Sequence, residues 1–256
     1  MAKVMGIINV TPDSFWSGSR VQDKSTLVER VRQMISQGAD AIDIGGCSTR
    51  PGSAQPSEAE EMKRLEWGLD AIREAFPDML LSVDTYRPHI ASRSVKEWKA
   101  DIINDVYGGN PDMYAVVAET GAQYVLTCAE QVQHDPVGEM VLFFEERLSQ
   151  LKSAGVDTGR KVILDPGFGF GKTVEQNFTL LANLEKLRVE GLPLLVGVSR
   201  KSMAWRLLGI TPEECLPATI AMNTVALMGG ADWIRVHDVQ EAVHTLKIVQ
   251  AINDNQ

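Results

Sequence analysis

The sequence predicts an α/β protein, a closed (β/α)8 barrel forming one domain. Three observations carry this expectation: eight short apolar runs rich in β-branched residues, a helical pattern between most of them, and no long Pro-, Gly- or Ser-rich linker in 256 residues. Strand then helix, eight times within about 250 residues, is the pattern of that barrel. A doubly wound open sheet, built from the same units, is the structural alternative.

The runs lie at residues 4–10, 41–46, 80–84, 102–106, 123–127, 161–165, 194–198 and 233–236. Most are apolar nearly throughout, as in parallel strands covered on both faces. In residues 56–76, Ala59, Met62, Leu65, Leu69, Ile72 and Phe76 recur every three or four positions and mark one helix face, and Ser57 with Glu60 supplies a capping box. Helices are also predicted at 24–37, 88–98, 112–120, 137–154, 174–190 and 218–228. Thr211 and Glu214 repeat the capping signature with Pro212 at the first helical position, and Asp238 with Glu241 opens the last helix.

With 44% hydrophobic and 23% charged residues the chain has the composition of a globular protein with a substantial core. Met1 leads within a few residues into Val4-Met5-Gly6-Ile7-Ile8, and no apolar run approaches the roughly 18 residues of a membrane span. No membrane association and a cytoplasmic location are therefore expected. Cys47, Cys128 and Cys215 are too few and scattered for a disulfide framework and read as ordinary thiols. A net charge of −9 argues against general nucleic-acid binding, so an anionic ligand must find locally placed cations.

Polar residues gather at the C-terminal ends of the strands, where a barrel places its site. They are Asn9 with Thr11-Pro12-Asp13-Ser14-Phe15; Asp43 to Gly46 followed by Ser48-Thr49-Arg50-Pro51-Gly52; Asp84; Asn104-Asp105; Asp165 with the glycine-rich stretch to Lys172; Ser199-Arg200-Lys201-Ser202; and Arg235 with His237-Asp238. An Asp after a strand often only caps the next helix, the bland reading for Asp238. A lone His237 would more often be structural, but Arg235-x-His237 sends both side chains to one side of a strand, toward the barrel mouth. His89, His134 and His244 share no metal-ligand spacing with it. Between Gly167 and Gly171-Lys172 lie three residues where a phosphate loop needs four, so these glycines shape a tight loop around Phe168 and Phe170.

Taken together, Met5 to Phe15, Asp43-Ile44-Gly45-Gly46, Ser48 to Gly52, Ser82-Val83-Asp84-Thr85, Ile103-Asn104-Asp105, Asp165 to Lys172, Ser199 to Ser202 and Arg235 to Val239 resemble the dihydropteroate synthases, pterin-binding enzymes, in the family's order and over nearly the whole chain. The resemblance implies one TIM-barrel domain over residues 1–256. It implies a transferase of folate biosynthesis that condenses p-aminobenzoate with 6-hydroxymethyl-7,8-dihydropterin pyrophosphate, releasing 7,8-dihydropteroate and pyrophosphate. Mg²⁺ dependence, a homodimer and competition by sulfonamides belong to the same expectation.

By that resemblance, Asp84, Asn104, Asp165, Lys201 and Arg235 bind the pterin; Asn9, Thr49, Arg235 and His237 hold the pyrophosphate; and Asn9 carries the metal. Phe15, Thr49, Arg50, Pro51, Phe170, Ser199 and Lys201 form the p-aminobenzoate site, and Asp13, Lys201, Arg235 and His237 are the catalytic set. The match departs after the fifth strand, where the family's Met-His-Met run is replaced by Val125-Leu126-Thr127-Cys128-Ala129, predicting a smaller or more polar pocket wall. A pterin-dependent methyltransferase on the same fold and a non-catalytic pterin-binding partner subunit are the alternative functions.

Overall fold

A computed structural model describes residues 2–10, 23–47 and 55–255. Its strands are β1 (Lys3–Asn9), β2 (Ala41–Gly45), β3 (Leu80–Asp84), β4 (Ile102–Asp105), β5 (Gln123–Thr127), β6 (Val162–Asp165), β7 (Leu195–Val196) and β8 (Trp233–Val236). Between and after them run α1 (Lys24–Gln37), α2 (Glu58–Ala75), α3 (Pro88–Trp98), α4 (Pro111–Thr120), α5 (Pro136–Ser153), α6 (Thr158–Lys161), α7 (Val174–Ala182), α8 (Ser202–Leu208), α9 (Leu216–Met228) and α10 (Val239–Asn253).

All strand pairs are parallel, in the order β6-β5-β4-β3-β2-β1-β8-β7. The sheet nearly closes on itself: β6 and β7 meet through a single bridge, Leu164 to Leu194, and Leu164 N–H donates to the Pro193 carbonyl at 2.8 Å. This is the (β/α)8 barrel that the strand-helix alternation predicts.

Strand geometry divides the core in two, because alternate side chains point to opposite faces. Outward residues such as Ile8, Ile42, Ile44, Leu81, Val83, Leu126 and Ile234 pack against the helices in the larger cluster. Inward residues Met5, Ala41, Ile102, Val125, Ile163, Leu195 and Trp233 form a separate plug inside the barrel. Each of five plug residues, on β4 to β8, has another inward position two residues nearer the C-terminal mouth. That layer carries the site.

Three local differences from the sequence pattern have physical reasons. The helix expected over 174–190 ends at Ala182, and two 3-10 turns continue the chain; Leu184 and Leu187 stay buried because a spacing of three also suits that tighter helix. The capping box at Thr211 and Glu214 opens a 3-10 turn, Pro212–Cys215, ahead of α9. Asp238 makes no cap to α10; it binds the Arg200 guanidinium with both carboxylate oxygens, each at 2.9 Å.

Candidate active site

On the β2–β4 and β8 side of the mouth, one buried carboxylate organises its neighbours. Asp43 Oδ2 accepts from Arg235 Nε at 2.6 Å and from Asn104 Nδ2 at 3.0 Å. Arg235 also reaches Asp84 Oδ2 through Nη2 at 2.7 Å. Burial pushes the Asp84 carboxyl up to about 7; Arg235 beside it opposes that rise, and Asp43 adds to it. For Arg235, burial disfavours the charge, but Asp43 and Asp84 outweigh it and the guanidinium stays protonated.

Across the mouth, Asp165 ends β6. Its Oδ1 accepts from the Gly167 N–H at 2.8 Å, and the Thr127 hydroxyl donates to Oδ2 at 3.4 Å. Burial raises this carboxyl too, with Lys201 pulling it down. The Lys201 ammonium donates to the Phe168 carbonyl and lies 4.6 Å from the Phe170 ring centre. Burial brings Lys201 down to about 8, against the opposing attraction of Asp165. Between Lys201 and Arg235 stands Gly197, where an added Cβ would lie 3.9 Å from Lys201 Nζ and from Arg235 Cβ. The missing side chain leaves room between the two cations.

The departure at the end of β5 lies beside Asp165. Thr127 and Cys128 are both buried, and the Cys128 N–H donates to the Asp165 carbonyl at 3.0 Å. Lys172 is no phosphate cation: its ammonium is buried against the carbonyls of Cys128, Phe170 and Gly167 at 2.7, 3.0 and 3.2 Å. Gly167 has φ 65°, and a Cβ there would meet the Cys128 carbonyl oxygen at 2.1 Å. Only glycine fits that close approach.

On β8, the period-two expectation holds. His237 follows Arg235 into the mouth, with its Nδ1 3.0 Å from Ser199 Oγ, which also accepts from the His237 backbone N–H at 3.2 Å. Burial pushes the imidazole down to about 3, and the charge of Arg235 pushes the same way, so His237 is neutral. Arg200 adopts φ 54°, held there by Asp238 and by its own N–H to Thr219 Oγ1 at 3.0 Å. Asn9 ends β1 near Asp84: a Cβ on Gly45 would lie 3.5 Å from Asn9 Oδ1 and from Asp84 Cβ.

The described residues thus bring Asn9, Asp84, Asn104, Asp165, Phe170, Ser199, Lys201, Arg235 and His237 to one end of the barrel. Asp13, Phe15, Thr49, Arg50 and Pro51 lie outside the described residues. Asp43 is the residue whose part the sequence reading missed. Its inward position on β2 was a usable signal, since it stands in register with Ser82, one inward step below Asp84.

A barrel whose mouth gathers three hydrogen-bond acceptors and two cations is built to bind a flat, donor-edged heterocycle carrying an anionic group. The family described as pterin binding enzyme matches residues 5–237. The dihydropteroate synthase of Escherichia coli (strain K12) is 42% identical over 258 residues, covering 97% of this chain and 90% of that protein. Among solved structures, the Yersinia pestis dihydropteroate synthase in a sulfonamide complex superposes with a TM-score of 0.93 at 38% identity, over 99% of this chain and 94% of that one. The Coxiella burnetii enzyme in complex with pteroic acid gives 0.92 at 34% identity, over 100% and 94%. The chain belongs to the pterin-binding enzymes, and within them to the dihydropteroate synthases.

Proposed function

We propose that the chain, as one barrel domain, joins p-aminobenzoate to 6-hydroxymethyl-7,8-dihydropterin pyrophosphate and releases pyrophosphate. The observation that carries this reading is the convergence of Asp84, Asn104 and Asp165 with Lys201 and Arg235 at one mouth. The carboxylates and the amide meet the donors along the pterin edge, Lys201 meets a ring carbonyl, and the planar Arg235 guanidinium stacks on the ring. Phe170, Ser199 and the Lys201 stem line the aminobenzoate side, to which the family resemblance also assigns Phe15, Thr49, Arg50 and Pro51.

The C–O bond to pyrophosphate breaks, the aromatic amine nitrogen bonds to the methylene carbon, and that nitrogen loses a proton. Negative charge grows on the leaving oxygen, where Arg235 and the neutral His237 ring act as fixed donors, and the family resemblance assigns Thr49 to the same phosphates. The family resemblance gives Asp13 the part of stabilising positive charge on the methylene carbon. The amine needs no activated nucleophile, so no Ser-His-Asp set is required.

Among the described residues no group of three or more His, Cys, Asp or Glu could hold a metal. One amide oxygen, that of Asn9, still fits Mg²⁺, which keeps several waters and takes its remaining ligands from substrate phosphates. When bound there the ion would neutralise charge on the departing pyrophosphate. We further propose that the chain pairs with a second copy, for which Leu207 and Leu208 on α8, Val225 and Met228 on α9, and Ile248 and Ile252 on α10 are exposed apolar residues. No helix among the described residues is long and apolar enough to cross a membrane, and the buried free thiols suit the cytoplasm.

The test is pyrophosphate release. Release that needs both p-aminobenzoate and Mg²⁺ supports the reading; methyl transfer to a corrinoid protein, or pterin binding without turnover, replaces it.

A further inference from the structure

Asp43 lies fully buried on β2, and two site residues depend on the same carboxylate oxygen. Paired with a guanidinium, that carboxylate accepts hydrogen bonds and donates none. Asn104 must therefore turn its amino group toward Asp43, which leaves the carbonyl oxygen facing away from it. That oxygen, Asn104 Oδ1, is buried and has no hydrogen-bond partner in the structure. A buried acceptor without a partner costs on the order of 1–3 kcal/mol, so it is kept where a ligand satisfies it.

An asparagine alone has no fixed hydrogen-bonding sense. Either end of its amide can face a ligand, and the neighbour on the other side decides which. Here that neighbour is Asp43, which also takes Arg235 Nε and so fixes one edge of the guanidinium plane while Nη2 reaches Asp84.

We propose that Asp43 is a positioning residue that sets the hydrogen-bond polarity of the pterin pocket: it holds Asn104 so that a carbonyl oxygen, and not an amino group, meets the ligand. Asp84, Asn104 and Asp165 then present acceptors together, and the pocket selects the donor-bearing edge of the heterocycle. Replacing Asp43 by asparagine offers Asn104 both a donor and an acceptor, and the amide loses its fixed sense. The inference rests on the reading of Asn104 as a pterin contact.

The test is calorimetric titration of the full chain with 6-hydroxymethyl-7,8-dihydropterin, which lacks the leaving group and is not turned over. Asn104→Ala and Asp43→Asn should each weaken binding by about tenfold or more. The exchange variant, Asp43→Asn with Asn104→Asp, places the amide on β2 and the carboxylate on β4, so that an acceptor again meets the ligand; it should recover most of the affinity lost in Asp43→Asn. Unchanged affinity in Asp43→Asn, or an exchange variant no better than that single variant, overturns the role of Asp43. Unchanged affinity in Asn104→Ala overturns the pterin assignment of Asn104, and this inference with it. In the unmutated, ligand-free protein the Asn104 side-chain amide protons should exchange slowly with solvent; fast exchange overturns the proposal without any variant.

Discussion

Two layers inside the barrel use the same strands, two residues apart, for opposite purposes. Below lie Ala41, Ile102, Val125, Ile163, Leu195 and Trp233; above them, in the same strand order, lie Asp43, Asn104, Thr127, Asp165, Gly197 and Arg235. The lower layer removes apolar surface from water and stabilises the closed sheet. The upper layer gains little from burial, because taking charges from water costs several kcal/mol per ion, which pairing only partly offsets. A single inward step along each strand therefore separates the part of the interior that holds the barrel together from the part that binds. Changes above should strike turnover and binding, and changes below should strike stability.

The largest effect is expected at Arg235. Arg235→Ala should lower turnover by a factor on the order of 10²–10³, as for loss of one oriented charge-stabilising donor. Steady-state kinetics on protein with unchanged circular dichroism checks this, and near-normal turnover removes Arg235 from the mechanism. Next comes the lower layer: Ile163→Ala should cost about 2–4 kcal/mol in urea unfolding, from lost burial and the cavity left behind. If the folded Ile163→Ala protein instead lost pterin affinity with stability intact, the two layers would not be separable.

A smaller change belongs to Asp165, directly above Ile163. Asp165→Asn should weaken pterin binding in a direct titration by roughly tenfold, the scale of one hydrogen bond to a charged acceptor. Equal affinities would take Asp165 out of the pterin edge.

The smallest effect is pH dependence. Burial raises Asp84 to about 7, so its carboxylate, and the acceptor strength it lends, is gained as pH rises through that value. Burial lowers Lys201 to about 8, so its ammonium is lost as pH rises further. Pterin affinity should therefore pass through a maximum between these values in titrations across pH. Lys201→Arg should remove the alkaline fall, since a guanidinium does not deprotonate in this range.

The layering explains what could be read from the sequence. Runs such as residues 80–84 and 102–106 stood out because both faces of a barrel strand are covered, and Asp84 and Asn104-Asp105 in them marked the mouth. The helix α8 was not legible, being seven residues long and following directly on Ser199-Arg200-Lys201. The break after Ala182 was hidden because the apolar spacing runs on through it. Asp43 escaped assignment because its partner Arg235 is 192 residues away, a contact that only closure of the barrel creates. Asp238 looked like a cap for the same reason: Arg200, which it binds, lies on the preceding strand end.

Lys172 has a consequence for how this site can change over generations. Its ammonium binds the backbone oxygens of Cys128, Gly167 and Phe170, so these three contacts across the fifth and sixth loops do not depend on the side chains of residues 128 and 129. Substitutions of similar size can accumulate there while Asp165 and Phe170 keep their places. Inhibitor contacts made with the side chains of residues 128 and 129 would then be the easiest for the protein to shed.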